Sequence, residues 1–350
     1  MLKRIMSLML LVSALVAFLS SCTSEKKKFT SYHLEYFDTA TTVIGYEKRE
    51  SDFSEVSALV EGMLAKYHRL YDIYNHYEGV VNLSDINALK DGQHRKLTVD
   101  KEIMDMLLYA KQMYNLTRGE VNIAMGSVLS LWHECRAAAE SDISLAKIPE
   151  RESLLRAARH TDINDLVLDT ENMTVYITDP EMTLDVGAVA KGYAVEMIAK
   201  ELEKRGVCGY IINVGGNVRT VGSKPDGTSF TVGISSPYGN PDVPYAEYLS
   251  VSDKALVTSG SYQRFYVVNG VSYHHIIDKD TLNPSENFLS VSVLAESSAL
   301  ADAFSTALFN MSINEGLSLL SENDSVYAVW IDKNGEKIYS PGFDKYIIYP

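Results

Sequence analysis

Residues 184–193 read LDVGAVAKGY, a run of small residues with an acid near one end and a base near the other. Glycine and alanine allow a backbone to approach a ligand closely. The Asp185 carboxylate can accept a hydrogen bond from a ligand ring or sugar. Lys191, at the start of a predicted helix, can hold a phosphate, because a helix N-terminus also favours anions. On chemistry alone, a ligand-binding turn and a structural turn with a surface ion pair are equally open.

Outward from this stretch, the apolar spacing predicts helices and strands that interleave. Apolar residues at three- and four-residue steps from Phe53 to Leu70 predict a helix, and Asp52 with Glu55 resembles its start box. The order has no regular β-α-β period, so we predict the α+β class. Further helices are predicted at 100–114, in part of 132–158, at 192–204 and from 297 or 298 to 311; strands are predicted at 32–46, 167–168, 174–178, 210–214, 230–234, 248–251, 264–268, 289–293, 326–331 and 337–339.

The composition excludes several classes of function. The 350 residues include 32 Lys+Arg and 46 Asp+Glu, which gives a formal net charge of −14. Nucleic-acid binding needs clustered Lys and Arg, so we expect no nucleic-acid partner. The chain has no G-x-G-x-x-G after a predicted strand, no P-loop, no G-x-S-x-G and no H-E-x-x-H. These absences disfavour Rossmann dehydrogenases, P-loop NTPases, α/β-hydrolases and zincins.

The N-terminus has the features of a bacterial lipoprotein signal. A basic start precedes an apolar run at 5–19, which is shorter than the roughly 20 residues of a spanning helix. The run ends in LSSC at 19–22, which is similar to a lipobox. This predicts an extracytoplasmic protein, anchored by lipid to a bacterial membrane at its periplasmic face. The predicted division is a signal peptide (1–21), a polar tether (22–30) that begins at lipidated Cys22, and one domain (31–350).

Three clusters downstream carry groups suited to ligand or metal binding. The glycine pair at 215–216 follows a buried strand, which fits a β-turn or a close ligand approach. His274 and His275 are candidates for acid–base work, with one exposed and one buried, satisfied histidine as the alternative. Asp302 and Thr306 share a helix face, and their oxygens suit Mg²⁺ rather than Zn²⁺. A solvated polar face is the alternative for this last pair.

In order along the chain, these clusters resemble the motifs of the ApbE family of flavin transferases. Residues 184–193 resemble its D-x-G-x-x-A-K-G signature, the most specific match. Residues 117–122 resemble its T-x-G-x-F-D segment, and 37–39 resemble its opening motif. The resemblance implies a single domain of mixed, mainly antiparallel sheets packed with helices and related to the T-fold. The remaining matching blocks are 215–216, 258–260, 275–278 and 301–306.

The resemblance also implies an activity. Members of the family cleave FAD and join FMN through a phosphoester to a Thr or Ser hydroxyl of an acceptor protein, releasing AMP. The implied acceptor carries a motif of the form D-x-x-[ST]-G-A-[ST], as in subunits of Na⁺-pumping quinone reductases and Rnf-type complexes. Mg²⁺ is the implied cofactor, and FAD is the implied substrate. A Mg²⁺-dependent FAD pyrophosphatase and a non-catalytic FAD-binding lipoprotein are the alternatives.

By position, the resemblance assigns roles to individual residues. Asp302, Thr306 and the backbone carbonyl of Ala188 are the implied Mg²⁺ ligands. His275 is the candidate that deprotonates the acceptor hydroxyl, and Lys191 is the residue expected to act on the phosphates. The residues assigned to FAD binding are Phe37, Tyr74, Glu120, Val121, Asn122, Asp185, Lys191 and Ile276.

Two segments depart from the family pattern. Val121 and Asn122 replace an aromatic–Asp pair, so Asn122 keeps its hydrogen bonding but lacks the charge. Residues 278–284, DKDTLNP, replace D-P-x-T-G-x-P and lack its first proline and its glycine. We expect this loop to have a different shape, with an effect on acceptor docking or FAD affinity. The intact metal-ligand and lysine positions favour an active enzyme.

Overall fold

An eight-stranded sheet runs through the fold of this computed structural model, which describes residues 25–89 and 96–349. The strands are β1 (Lys27–Tyr36), β2 (Thr39–Glu47), β3 (Leu97–Thr98), β4 (Leu166–Asp169), β5 (Thr174–Ile177), β6 (Tyr210–Val214), β7 (Asn217–Val221), β8 (Phe230–Ser235), β9 (Tyr245–Val251), β10 (Ala255–Gly260), β11 (Phe265–Val268), β12 (Val271–His274), β13 (Phe288–Ala295), β14 (Tyr327–Asp332), β15 (Lys337–Tyr339) and β16 (Ile347–Ile348). The helices are α1 (Glu50–Tyr71), α2 (Leu83–Asn87), α3 (Lys101–Leu116), α4 (Gly126–Ser141), α5 (Arg151–Ala157), α6 (Ala190–Lys204), α7 (Ser298–Asn310) and α8 (Ile313–Ser321).

Neighbouring strands of the large sheet, in the order β1-β2-β6-β7-β10-β13-β14-β15, are all antiparallel. The prediction of an α+β fold with antiparallel sheets is therefore confirmed. Ile211 and Ile212 are neighbours in β6 and so point to opposite faces. Ile212 joins the core formed with α1, α3 and α6, whereas Ile211 packs on the core beneath the small sheet β16-β9-β8. The large sheet is thus the middle layer of the fold.

Helices α6 and α7 approach each other closely, and Gly192 makes this possible. A Cβ at position 192 would lie 2.3 Å from the Cβ of Asp302 and 2.7 Å from the carbonyl oxygen of Ser298. Any side chain at this position would push the two helices apart. In the apolar stripe of α7, Phe304 and Leu308 are fully buried, so the helix packs firmly on the sheet.

A separate apolar cluster joins α4 to the hairpin β11–β12 and to the loop 278–284. Trp132, Tyr266 and Leu282 are buried together in it. Within the described part of the chain, β11 and β12 pair only with each other. The cluster therefore fixes a hairpin that the large sheet does not hold.

Several predicted boundaries differ from the structure. The single strand predicted at 32–46 is two strands, β1 and β2, joined by a turn at residues 37–38. Helix α1 begins at Glu50 and has no side-chain cap; Asp52 forms an ion pair with Arg49 instead, so the start box at Asp52 and Glu55 is wrong. Strand β1 begins at Lys27, so 27–30 belong to the sheet rather than to the predicted tether. The sequence patterns also missed β7, β10 and α8, although the capping box of Ser312 and Glu315 is a signal for the start of α8.

The predicted signal peptide and Cys22 lie outside the described residues. None of the helices in the described ranges combines the length and the apolar character needed to cross a bilayer. Cys135 is buried and Cys208 is exposed, and both are free.

Candidate active site

A cavity of about 720 Å³ gathers side chains from segments that are far apart in the sequence. Its volume is in the range of sites that enclose small molecules. It lies where α4, α6, α7, the β1–β2 turn and the base of the hairpin β11–β12 converge. The lining includes these residues singled out in the sequence: Phe37, Tyr74, Glu120, Asn122, Asp185, Ala188, Lys191, His275, Ile276, Asp302 and Thr306.

Lys191 and Asp302 form a charged pair in the cavity wall. The Lys191 Nζ lies 3.3 Å from Asp302 Oδ1, and Asp302 Oδ2 accepts a 2.7 Å hydrogen bond from the backbone N–H of Gly192. Asp302 is only 5 % exposed, so this segment is not a solvated polar face. Thr306 follows one turn later in α7 and lines the same cavity.

The two adjacent histidines have different surroundings. His274 is buried; its Nε2–H donates to the Ser285 carbonyl at 2.7 Å, and its Nδ1 accepts from the Ile276 N–H at 3.2 Å. His275 lines the cavity, and its Nδ1 lies 3.2 Å from the Arg264 carbonyl oxygen. Because a carbonyl oxygen can only accept, Nδ1 carries the proton and Nε2 has the free lone pair.

The protonation of His275 follows from its surroundings. Burial lowers the pKa of His275 to about 3, and the charges of Arg264, His274 and Arg136 act in the same direction. The hydrogen bond to the Arg264 carbonyl opposes this shift only in part. The imidazole is therefore neutral at pH 7, with the lone pair of Nε2 unprotonated.

Asp185 faces basic side chains across the cavity. Its Oδ1 accepts a 2.9 Å hydrogen bond from the Gly187 N–H. Desolvation raises the pKa of its carboxyl, while His133, Arg136 and Arg264 act against this shift. Sequence reasoning missed these three basic residues, because none lies in a motif and each reaches the cavity only through tertiary packing.

The turn that presents Phe37 is held by neighbours on both sides. Phe37 and Asp38 have φ values of 54° and 51°, which non-glycine residues rarely adopt but which a two-residue hairpin turn requires. The Phe37 N–H donates to His68 Nδ1 at 3.3 Å. The Arg264 guanidinium donates to the carbonyl oxygens of Phe37 and Asp38 at 3.4 and 3.2 Å. The position of the Phe37 ring in the cavity wall is thus fixed through its backbone.

Tyr74 is presented by a loop that Asp72 organises. The Asp72 carboxylate accepts the backbone N–H groups of Tyr74 and Asn75 at 2.7 and 2.9 Å, and the Tyr77 hydroxyl at 2.8 Å. Tyr74 is 59 % exposed and stacks on His133, with ring centroids 4.9 Å apart. An exposed aromatic pair in a cavity wall suits a flat, conjugated ligand.

The segment around Val121 corrects one assignment. Val121 is 1 % exposed, belongs to the core with α1 and α3, and is not part of the cavity lining. Its neighbours Glu120 and Asn122 do line the cavity. The Asn122 amide donates to the Thr161 carbonyl at 2.9 Å and accepts from the Ala124 N–H at 2.9 Å. Asn122 therefore stabilises the local loop, and an aspartate could not donate to Thr161.

The comparison with known proteins identifies the family. A model of the ApbE family matches residues 30–330. This chain belongs to the ApbE family. An FAD:protein FMN transferase of Klebsiella pneumoniae is 28% identical over 280 residues, which cover 78% of this chain and 84% of that relative. An FAD:protein FMN transferase of Haemophilus influenzae is 25% identical over 334 residues, which cover 92% of each chain. The crystal structure of the ApbE protein of Thermotoga maritima has the same fold, with a TM-score of 0.79, 23% identity and coverage of 92% of this chain and 100% of that one.

The loop that departs from the ApbE pattern keeps one backbone feature typical of glycine. Leu282 stands where the pattern has glycine, and its φ of 61° lies in the left-handed region. The Leu282 side chain is 5 % exposed, and its carbonyl accepts the Trp132 indole N–H at 2.9 Å. Burial of the side chain against Trp132 offsets the backbone strain.

The departing loop 278–284 also contacts Glu120, the residue before the Val121–Asn122 pair. The Lys279 Nζ lies 3.3 Å from Glu120 Oε1 and 2.7 Å from Asp280 Oδ2. Desolvation raises the pKa of Glu120, and the Lys279 charge opposes this shift. Lys279, which replaces the first proline of the ApbE pattern, thus links its loop to the cavity wall.

The donors near Asp302 fit a hard divalent cation. Asp302, Thr306 and the Ala188 carbonyl are oxygen donors from one cavity, and Mg²⁺ prefers one or two carboxylates together with other oxygens and substrate phosphates. Within residues 25–89 and 96–349, no cluster of three His, Cys, Asp or Glu side chains is arranged for a metal. The donor set therefore suits Mg²⁺ and disfavours Zn²⁺.

Proposed function

We propose that this chain is an FAD:protein FMN transferase that moves FMN from FAD to a Ser or Thr hydroxyl of an acceptor protein. The reaction would form a phosphoester and release AMP. One observation supports the proposal most strongly. The Lys191–Asp302 pair and a neutral His275 with a free Nε2 line the same cavity. The curated relatives that match most of the chain carry this activity in their names.

In this proposal, His275 moves the proton. The acceptor hydroxyl oxygen attacks the FMN phosphorus, the P–O bond to AMP breaks, and the hydroxyl proton passes to His275 Nε2. The Arg264 carbonyl keeps the proton on Nδ1, so the reacting nitrogen is always the one with the lone pair. AMP leaves with the electrons of the broken P–O bond.

Lys191 and the N-terminus of α6 would bind the pyrophosphate. Lys191 is the second residue of α6, where backbone N–H groups and the positive end of the helix favour an anion. Asp302, Thr306 and the Ala188 carbonyl would hold Mg²⁺. When bound there, Mg²⁺ would neutralise part of the phosphate charge.

The aromatic and acidic groups at the other side of the cavity would bind the rings of FAD. Phe37 and Tyr74 offer flat apolar surface. Asp185 offers a carboxylate close to basic side chains, which suits a ring edge with both donors and acceptors. Ile276 would add apolar contact.

The cellular setting is a further part of the proposal. The sequence of residues 1–22 supports a lipid anchor at Cys22 and an extracytoplasmic location, where the acceptor would be a membrane-associated flavoprotein with a D-x-x-[ST]-G-A-[ST] motif, such as a Na⁺-pumping quinone reductase or Rnf-type subunit. Cys22→Ser should abolish incorporation of a labelled fatty acid in cells. Unchanged incorporation would contradict the anchor.

The test of the transferase mixes residues 25–350 with FAD, Mg²⁺ and a tagged carrier bearing D-x-x-S-G-A-T. Flavin fluorescence on the carrier in a denaturing gel, with one AMP per labelled carrier, is the expected result. His275→Gln should abolish labelling, whereas His76→Gln, at an exposed histidine outside the cavity, should not. AMP without labelled carrier would favour the pyrophosphatase, and bound FAD without AMP would favour the binding protein.

A further inference from the structure

Glu196 makes the same kind of contact as Asp302 between α6 and α7: each carboxylate accepts a backbone N–H group of the other helix. Asp302 in α7 accepts the backbone N–H of Gly192 near the start of α6 at 2.7 Å. Glu196 in α6 accepts the backbone N–H of Ser298, the first residue of α7, at 2.8 Å. Each helix therefore supplies a carboxylate to an N–H group that the other helix leaves without an intrahelical partner.

The geometry of this reciprocal contact is that of two antiparallel helices. Positions 192 and 196 lie one turn apart in α6, and 298 and 302 lie one turn apart in α7, so the two bonds are separated by one turn on each side. A shift of either helix along its axis would break both bonds. The contact therefore fixes the position of α6 relative to α7 along the helix axes.

Glu196 is buried, and its charge is balanced by Arg219 of the sheet and by Lys200 of α6, whose Nζ lies 3.7 Å from Glu196 Oε1. Glu196 is 4 % exposed, and its Oε2 lies 3.5 Å from the Nε of Arg219 in β7, which is also buried. Arg219 reaches Glu203 of α6 with its Nη2 at 2.8 Å. The Ser298 hydroxyl also bonds Asn217 of β7. The start of α7 is thus tied to both α6 and the sheet.

We propose that Glu196 is a positioning residue for the transfer reaction, which sets the place of Asp302 opposite Lys191 by holding the N-terminus of α7. This inference rests on the proposed function, because the role of Glu196 is defined for the transfer reaction. Glu196 is not part of the cavity lining, so it acts through α7 and not on the substrate. Its loss should weaken FAD binding through the displaced pair.

The test is a double-mutant cycle on FAD binding, measured by fluorescence titration in EDTA without acceptor. Glu196→Leu, whose side chain cannot accept the Ser298 N–H, should raise the Kd for FAD about 5- to 10-fold in the wild-type background and less than about 2-fold in Asp302→Asn. Glu201→Leu is the matched control, because Glu201 is a half-buried carboxylate of the same helix that pairs with Arg205 and Lys204 and not with α7.

A second variant removes the donor instead of the acceptor. Ser298→Pro lacks the backbone N–H, and proline is tolerated at the first position of a helix. It should weaken FAD binding in the same way, and thermal unfolding of each variant checks that it is folded. An unchanged Kd in both variants, or an equal loss with and without Asp302→Asn, would overturn the inference. Failure of wild type and Glu201→Leu to label a carrier would instead count against the transferase, since the binding cycle does not depend on transfer.

Discussion

Lys191 and Asp302 are 111 residues apart in the sequence, yet the Lys191 Nζ lies 3.3 Å from Asp302 Oδ1. The contact exists because Gly192 lets α7 approach the start of α6, where Asp302 also accepts the Gly192 N–H. One carboxylate thus holds the helices together and keeps the lysine charge in place. Phosphates that enter the cavity would meet a balanced pair rather than an isolated charge.

Asp302→Asn tests the carboxylate with little change of shape. The amide oxygen can still accept the Gly192 N–H, so the fold should persist, but the charge that would hold Mg²⁺ is lost. We expect AMP release and carrier labelling to fall on the order of 100-fold or more, with an unchanged circular dichroism spectrum. Wild-type turnover at limiting Mg²⁺ would exclude Asp302 as a metal ligand.

Lys191→Met tests phosphate binding. Removal of the ammonium group should raise the Kd for FAD about 10-fold, which corresponds to about 1.4 kcal/mol. Because buried Asp302 then lacks its ionic partner, the melting temperature should fall as well. Lys204→Met, at the far end of α6, is the control and should leave FAD binding intact. An unaltered FAD titration in Lys191→Met would contradict the assignment.

Gly192→Ala tests the close approach of α6 and α7. The added methyl group would overlap Asp302, so we expect a loss of about 1–3 kcal/mol in the free energy of unfolding and a marked loss of transfer. Gly62→Ala is a matched control, because a Cβ at Gly62 in α1 meets nothing within 4 Å. That control should gain up to about 1 kcal/mol from helix propensity. Equal stability of the two variants would mean that the helices yield easily.

His275→Gln tests the neutral imidazole through stability. In the folded protein, burial lowers the pKa of His275 to about 3. In the unfolded protein, the pKa of the imidazole is about 6.5. Between these values the unfolded state binds the extra proton, so stability rises with pH by up to about 1.4 kcal/mol per unit. His275→Gln should lose this contribution, which urea unfolding at pH 5 and pH 7 measures. His76→Gln serves as the control, and identical slopes for wild type and His275→Gln would refute the burial of a neutral ring.

Leu282→Gly tests the loop in which leucine replaces the family glycine. Glycine should relieve about 1 kcal/mol of left-handed strain, but loss of the buried side chain costs about 2–5 kcal/mol, so net destabilisation is expected. Asn269→Gly is the control, since Asn269 has a φ of 51° and is exposed, so it should be neutral or stabilising. Thermal unfolding compares them, and a stabilised Leu282→Gly would show that strain outweighs packing there.

The sequence alone determined much of the local structure. The short, mainly apolar run YIINV predicted β6 at the observed residues 210–214, and helical spacing predicted α1, α3, α6 and α7 within a few residues. The D-x-G-x-x-A-K-G stretch, read together with the other blocks, was enough to identify the family, which the match over 30–330 confirms. Such signals are local, because periodicity and short motifs reflect the backbone of a single element.

Only the tertiary structure decided which of the candidate groups meet. It separated His274, satisfied in the core, from His275 in the cavity, and it moved Val121 from the site to the core. It also added Arg264, whose carbonyl sets the His275 tautomer while its guanidinium holds the Phe37 turn. These relations join residues that are distant in sequence. They depend on packing between elements, on burial and on the direction of hydrogen bonds, and short sequence patterns contain no information about these.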